Sequence, residues 1–201
     1  MPQPQAGLQC RDFCENLVDM NSFHLWHQIH PGKKCPEIVT SVIEIQKGSR
    51  SKFEIDKESG LIKLDRFLHG SMHYPVNYGI IPKTLGEDGD PLDILVFTGA
   101  ELFPGCLVDA RVIGVLRMVD QGTTDDKILA VANQDVTLAH LKSATALSPH
   151  EKLELEHFFE RYTELEGKKV TVPGIDDATK AKELIIRCMD RYAGKFGKSN
   201  S

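Results

Sequence analysis

Residues 52–65, KFEIDKESGLIKLD, carry the pattern that predicts the type of fold. Apolar and polar side chains alternate with a period of two in residues 52–56, and they alternate again in residues 61–65. This alternation is typical of strands that bury one face, and the turn-forming residues between the two runs indicate a β-hairpin. The chain is therefore expected to be built mainly from β-strands.

Further strands are predicted on both sides of this hairpin. Residues 38–45, IVTSVIEI, are rich in β-branched residues and lie between Pro36 and Gly48. β-branched residues favour strands, whereas proline and glycine favour the turns that end them. By the same criteria, strands are predicted at residues 93–97, 107–118, 127–131 and 169–172.

Two helices are predicted after most of the strands. Residues 148–151, SPHE, form a capping box with proline at the first helical position, and apolar residues then recur at helical spacing. These residues are Leu155, Phe158, Phe159 and Tyr162. The second helix is predicted at residues 177–192, with an inner face formed by Ala181, Leu184, Ile185, Cys188 and Tyr192. Many short strands followed by two amphipathic helices predict an α+β, mainly β fold, in which a closed or nearly closed barrel carries two flanking C-terminal helices.

The two ends of the chain differ from this central part. Residues 1–37 predict a partly irregular N-terminal arm, residues 38–193 a single folded domain, and residues 194–201 a flexible tail. The spacing of His24, His27 and His30 invites a metal-site interpretation. We favour an aromatic anchor around Trp26 that docks the arm on the barrel or on a neighbouring subunit, because acidic residues elsewhere account for metal.

The composition excludes several classes of function. The net charge of −5 argues against a nucleic-acid partner, because affinity for phosphate backbones comes from clustered Lys and Arg. No apolar run approaches the roughly 20 residues of a membrane-spanning helix, and the N-terminus lacks the pattern of a secretory signal. The 5 cysteines are scattered, which favours a reducing, cytoplasmic setting over a disulfide scaffold.

Three carboxylates crowd into residues 88–93, DGDPLD. Asp88, Asp90 and Asp93 repel one another unless a cation lies between them, and oxygen ligands of this kind suit Mg²⁺ or Mn²⁺. An acidic turn without a metal is the alternative, since Asp, Gly and Pro all form turns. An EF-hand loop fits poorly because glycine and glutamate are not at the required positions. The stretch alone leaves the metal site and the acidic turn as equal alternatives.

A second acidic loop favours the metal site. Asp120 ends a predicted strand, Asp125 and Asp126 follow it, and Lys127 comes next, so two acidic loops can meet at one end of the barrel. Other candidate residues are Lys52 and Glu54, which share one face of their strand, together with Arg66, Tyr74, Tyr78 and Tyr162. A single lysine in a turn, such as Lys127, is ordinarily only solvated. A buried tyrosine ordinarily serves core packing.

Taken together, these motifs resemble the family I soluble inorganic pyrophosphatases. The resemblance covers residues 38–170 and rests on VIEI (42–45), SKFEID (51–56), LDRF (64–67), YPVNYG (74–79), EDGDPLDILV (87–96), DQGTTDDK (120–127) and HFFERY (157–162). It implies a five-stranded closed barrel of OB type. It also implies hydrolysis of pyrophosphate to two phosphates by a Mg²⁺-activated water, without a covalent enzyme intermediate. The resemblance further implies a homo-oligomer, with a hexamer favoured over a dimer.

The resemblance also implies a role for each candidate residue. The implied catalytic residues are Asp90 and Tyr78: Asp90 would hold or deprotonate the attacking water, and Tyr78 would also bind the diphosphate. Glu44 would support the metal shell through water. The implied Mg²⁺ ligands are Asp88, Asp93, Asp120 and Asp125. The residues implied to bind the diphosphate are Lys52, Arg66, Tyr78, Lys127 and Tyr162, with Glu54 and Tyr74 nearby.

One position departs from the family pattern. Many members have a lysine that contacts phosphate after the tyrosine of HFFERY, and here Thr163 takes that place. An active enzyme with altered phosphate affinity is expected, because every implied metal ligand and Asp90 remain. Two other functions stay open at this point. One is an oligonucleotide-binding barrel, which would need a basic groove with stacking aromatics, and the other is a catalytically silent relative.

Overall fold

The computed structural model describes residues 23–197, and in this range the protein is mainly β. Its strands are β1 (Ile38–Ile45), β2 (Ser51–Ile55), β3 (Ile62–Phe67), β4 (Asn77–Ile81), β5 (Leu92–Phe97), β6 (Leu107–Asp120), β7 (Thr123–Thr124), β8 (Lys127–Ala132) and β9 (Val170–Asp177). Its α-helices are α1 (Pro149–Arg161) and α2 (Ala178–Phe196). No helix between residues 23 and 197 is both long enough and apolar enough to cross a membrane.

Five strands pair in a closed ring. The order is β1, β4, β5, β8 and β6, and β6 pairs with β1 to complete the circle. β5 and β8 run parallel, whereas the other neighbours in the ring are antiparallel. β7 and β9 extend from β6, and β2 and β3 form a separate hairpin. The predictions of the hairpin and of a mainly β fold with five strands in a closed arrangement are confirmed.

The strand β4 is absent from the sequence-based prediction, although the ring cannot close without it. Four of its five residues are buried, so apolar and polar side chains do not alternate along it. Gly79 is needed where β4 pairs with β1, because a Cβ atom at this position would lie 2.0 Å from the carbonyl oxygen of Val42. The sequence motif contains this glycine, but only the pairing of β1 with β4 shows why a side chain is not tolerated.

Both helices pack their predicted apolar faces on the ring. The capping box of α1 is present: the Glu151 backbone N–H donates to Ser148 Oγ at 3.2 Å, and the Ser148 N–H donates to Glu151 Oε2 at 2.7 Å. Leu155, Phe158 and Phe159 of α1 are buried in one core cluster; Ala181, Leu184, Ile185 and Cys188 of α2 are buried in another. α2 continues to Phe196, beyond the predicted end at residue 192.

The described part of the arm docks on the domain, as predicted. Trp26 is 3% exposed, and its indole Nε1–H donates to the carbonyl oxygen of Thr84 at 2.8 Å. His27 Nδ1 lies 2.7 Å from the hydroxyl of Tyr192 in α2, and the Phe196 ring packs edge-on against Trp26. The arm therefore explains the extra turn of α2, because Phe196 gains a packing partner. Residues 1–22 and 198–201, which include Cys10 and Cys14, lie outside the described residues.

Candidate active site

A cleft of about 630 Å³ opens between the β2–β3 hairpin, the loop before β5, and the acidic loop between β6 and β8. Eleven of the residues selected from the sequence line it: Glu44, Lys52, Glu54, Arg66, Tyr78, Asp88, Asp90, Asp93, Asp120, Asp125 and Tyr162. The two acidic loops therefore meet in one place, opposite the cations of the hairpin. Lys127 and Tyr74 are not among the described residues that line the cleft.

Lys127 lies behind the cleft wall and joins the two acidic loops. It is 1% exposed, and its ammonium group lies 2.6 Å from Asp93 Oδ2 and 2.9 Å from Asp125 Oδ1. Asp93 also accepts a short hydrogen bond from the hydroxyl of Tyr78. The parallel pairing of Ile94 with Ile128 sets this geometry, because Asp93 and Lys127 precede these two residues in adjacent strands. Lys127 therefore aligns the two carboxylates.

The negative charge in the cleft exceeds what the neighbouring cations neutralise. Burial, with a smaller contribution from the charge of Asp93, raises the pKa of Asp125 to about 7, although Lys127 opposes the shift. Burial also raises the pKa of Asp88. The pKa of Glu44 is raised to about 8 by burial and by the charge of Asp93. Crowded, desolvated carboxylates of this kind are stabilised by a bound cation.

The donor set fits a hard divalent cation, but it does not form a closed cage. Asp120 Oδ1 is buried and has no hydrogen-bond partner within residues 23–197, so it has an oxygen to give to a ligand. No group of three or more His, Cys, Asp or Glu side chains in the same range is close enough to hold a metal by itself. Mg²⁺ commonly binds through one or two carboxylates and completes its shell with waters and substrate phosphate. The arrangement suits that mode of binding.

The opposite wall of the cleft carries two cations held by acids. Lys52 and Arg66 lie opposite each other across the hairpin. Lys52 Nζ lies 2.8 Å from Asp65 Oδ2 and 2.9 Å from Glu54 Oε2. Arg66 also contacts Asp65, and its Nε donates to Glu166 Oε1 at 3.0 Å. The side chains of Lys52 and Arg66 are therefore held in place before any anion enters the cleft. Each keeps N–H donors that can bind such an anion.

Asp90 projects from the tight turn that joins β4 to β5. The turn is closed by the backbone N–H of Gly86, which donates to the carbonyl of Asp90 at 2.6 Å, and by the N–H of Asp90, which donates to Asp88 Oδ1 at 3.0 Å. Gly89 has a φ of 92°, a conformation that L-residues with a side chain rarely adopt. Asp90 forms an ion pair with Lys57 of the hairpin turn.

The tyrosines divide between packing and the cleft. Tyr74 is 2% exposed and its ring centroid lies 4.9 Å from that of Phe158, so the packing interpretation holds for it. Tyr78 and Tyr162 reach the cleft. Burial raises the pKa of all three hydroxyls, and Asp93 adds to the shift at Tyr78. The hydroxyls of Tyr78 and Tyr162 therefore act as hydrogen-bond donors.

Several residues of the site were not selected from the sequence. Trp26, Lys57 and Lys168 line the cleft, and Asp65 and Glu166 hold its cations. Asp65 lies next to Arg66 in the motif LDRF, so the sequence could have indicated that Asp65 belongs to the site. The other four come from the arm, a turn and the segment after α1, where a charged or aromatic residue is ordinarily only solvated or packed.

Residues 41–193 match the family model described as inorganic pyrophosphatase. The chain belongs to this family. A soluble inorganic pyrophosphatase of Zea mays is 46% identical over 170 residues, which cover 85% of this chain and 79% of the plant protein. The soluble inorganic pyrophosphatase 3 of Arabidopsis thaliana has the same identity and coverage. The pyrophosphatase described here therefore hydrolyses inorganic pyrophosphate to phosphate, and the predicted activity is confirmed.

Solved structures agree with this assignment. The inorganic pyrophosphatase from Thermus thermophilus superposes with a TM-score of 0.83 and 43% identity, covering 86% of this chain and 100% of that one. The Helicobacter pylori pyrophosphatase gives a TM-score of 0.78 and 37% identity, with 84% and 100% coverage. These likenesses favour the pyrophosphatase prediction over the oligonucleotide-binding alternative and agree with the closed five-stranded arrangement.

Proposed function

We propose that this pyrophosphatase acts with Mg²⁺ and that Asp90 accepts a proton from the attacking water. The observation that carries the proposal is the convergence of two acidic loops on one cleft that faces Lys52 and Arg66. Pyrophosphate is a compact polyanion, so its hydrolysis needs charge neutralisation and an activated water. The cleft offers carboxylates for metal on one wall and cations for phosphate on the other.

The metal-binding residues in this proposal are Asp88, Asp93, Asp120 and Asp125. Bound Mg²⁺, or Mn²⁺ in its place, would neutralise phosphate charge and lower the pKa of a water. The unpaired oxygen of Asp120 and the raised pKa values of Asp88 and Asp125 support this role. Glu44 lies in the same wall, where its buried carboxyl supports the metal shell through water.

The substrate-binding residues are Lys52, Arg66, Tyr78 and Tyr162, with Glu54 beside Lys52. Lys127 acts from behind the wall, because its ammonium group binds Asp93 and Asp125. Its charge stabilises the transferred phosphoryl group at short range even without direct contact. The water attacks phosphorus in line, Asp90 takes its proton, and the departing phosphate is stabilised by Lys52 and Arg66. No side chain forms a covalent intermediate.

The substitution Asp90→Asn tests the proposal. Asparagine keeps the size of the side chain but cannot accept the proton, so kcat for Mg²⁺-dependent phosphate release is expected to fall by about 10²–10⁴-fold. Asp109→Asn is the matched control, because Asp109 is exposed and its described hydrogen-bond partner, Thr40, lies outside the cleft. Phosphate release should stop when EDTA removes the metal. An Asp90→Asn enzyme that turns over like Asp109→Asn would contradict the role of Asp90.

Homo-oligomer formation, with a hexamer favoured over a dimer, is also part of the proposal. Phe67, Phe103 and Val136 are 58%, 79% and 84% exposed in the isolated chain and are the candidates for burial between subunits. Light scattering of the purified protein distinguishes the two states from a monomer. A cytoplasmic location stays a prediction from cysteine usage.

A further inference from the structure

Position 163 lacks the lysine that the family pattern leads one to expect, and the structure shows where the threonine lies instead. Thr163 is 1% exposed, and its Oγ1 has no hydrogen-bond partner within residues 23–197. It is not among the described residues that line the cleft, although its neighbour Tyr162 is. The side chain of Thr163 therefore brings neither charge nor a hydrogen bond to the phosphate-binding wall.

The segment that follows returns a different lysine to this wall. A short 3-10 helix at Glu164–Glu166 ends at Gly167, whose φ of 73° allows the chain to reverse. The reversal is fixed by the N–H of Glu166, which donates to the carbonyl of Thr163 at 2.9 Å, and by the N–H of Lys168, which reaches the same oxygen at 3.4 Å. Lys168 consequently lines the cleft with Lys52, Arg66 and Tyr162.

A single carboxylate orients Lys168 and Arg66 together. The side chain of Glu166 is 8% exposed, its Oε1 accepts from Arg66 Nε at 3.0 Å, and its Oε2 lies 3.7 Å from Lys168 Nζ. At 3.7 Å the ammonium group is attracted by Glu166 but gives it no hydrogen bond, so its N–H donors stay free. The side chain of Lys168 is 37% exposed, and Lys168 is one of the residues that line the cleft.

We propose that Lys168 is a substrate-binding residue that supplies the phosphate-binding cation missing at position 163, with Glu166 as the positioning residue that holds Lys168 beside Arg66. The inference rests on the proposed arrangement of the diphosphate against Lys52 and Arg66. The net charge of the group formed by Arg66, Glu166 and Lys168 is +1, whereas removal of Lys168 leaves Arg66 and Glu166 to cancel. At this end of the wall the diphosphate would then face a neutral Arg66–Glu166 pair, and Lys52 would remain beside it.

Lys168→Gln is the decisive variant, and Lys169→Gln is its matched control. Lys169 is the next residue, is exposed, and is not among the residues that line the cleft. We expect Lys168→Gln to raise the KM for magnesium pyrophosphate and the Kd of inorganic phosphate, measured by calorimetry, by about tenfold, which corresponds to about 1.4 kcal/mol. The kcat should change less. Lys168→Arg keeps the charge and should restore both constants.

Position 163 provides the second arm of the experiment. Thr163→Lys should restore phosphate affinity in the Lys168→Gln background. In the wild type it should raise phosphate affinity less, because Lys168 already supplies a cation to the site. The inference is overturned if Lys168→Gln matches Lys169→Gln, or if Thr163→Lys raises phosphate affinity by the same factor in both backgrounds. A wild type without Mg²⁺-dependent phosphate release would instead contradict the proposed function, so the two failures are distinguishable.

Discussion

Glu44 shows how strongly burial acts on a single residue of this site. Its side chain is 4% exposed, and one carboxyl oxygen accepts from the backbone N–H of Ile55 at 2.8 Å. That hydrogen bond favours the charged form, yet burial and the charge of Asp93 prevail and raise the pKa to about 8. Glu44 is therefore neutral near pH 7 when no metal is bound.

This raised pKa predicts a pH dependence of stability for the metal-free protein. The folded state holds the proton of Glu44 up to about pH 8, whereas the unfolded state releases it near pH 4.5, so stability falls as pH rises between these values. Glu44→Gln keeps the acceptor for Ile55 and cannot ionise, so it should unfold at about the same urea concentration as the wild type at pH 4.5. It should be more stable at pH 8 by at least about 1 kcal/mol. If wild type and Glu44→Gln differed in stability by the same amount at pH 4.5 and pH 8, measured by urea unfolding in EDTA, the raised pKa of Glu44 would be contradicted.

At the scale of elements, the antiparallel pairing of β1 with β4 is a joint that leaves no room for a side chain at Gly79. A Cβ atom at Gly79 would lie 2.0 Å from the carbonyl oxygen of Val42 and 2.9 Å from the Cα of Ile43, both of them backbone atoms that cannot rotate away. The two strands would have to separate to admit a methyl group. This joint also carries Tyr78, so its geometry sets one wall of the active site.

Gly79→Ala is therefore expected to be severely destabilising. Because β1 and β4 must move apart, the free energy of unfolding should fall by more than about 3 kcal/mol. This lies at the upper end of the losses seen when a side chain is enlarged in a packed core. Thermal unfolding and soluble yield measure the effect. Gly194→Ala is the control, since no neighbouring atom of residues 23–197 lies within 4 Å of a Cβ added in that turn of α2. A Gly79→Ala protein as stable as the control would show that the strands can adjust.

At the scale of the whole molecule, the arm connects the last helix to the active-site hairpin. Trp26 packs with Val42, Ile55, Ile80 and Leu85, and it also lines the cleft. The ring of His24 lies against Gly60, and its Nε2 is 3.3 Å from the carbonyl oxygen of Lys57, whose ammonium group pairs with Asp90. The arm is thus part of the support of the site.

Trp26→Ala should weaken both the fold and the site. Loss of a buried indole and of its hydrogen bond to Thr84 is expected to cost about 3–5 kcal/mol in the free energy of unfolding. The KM for magnesium pyrophosphate should rise, because the turn that carries Lys57 loses its support. Phe23→Ala serves as the control, since Phe23 is 54% exposed. Unchanged urea unfolding in Trp26→Ala would mean that the arm is not part of the folded unit.

The sequence by itself determined the local features of this protein. The hairpin is visible because apolar and polar residues alternate along β2 and β3, although Leu64 and Phe67 of β3 stay exposed. The helix α1 is visible because Ser148, Pro149 and Glu151 satisfy its first turn. The acidic loops are visible because carboxylates crowd within a few residues. These features depend on neighbours in the chain, so a period of two, a capping box or a charge cluster is enough to predict them.

Only the tertiary structure decided which of these features meet. β4 is buried on both faces and shows no alternation, so its place in the ring depends on strands far away in the chain. Lys127 would be an ordinary turn lysine if parallel pairing did not bury it between Asp93 and Asp125. Lys57 and Lys168 reach the cleft through turns whose directions are set by contacts with Asp90, Glu166 and the arm. Burial and long-range pairing, which no local pattern records, assign these residues their roles.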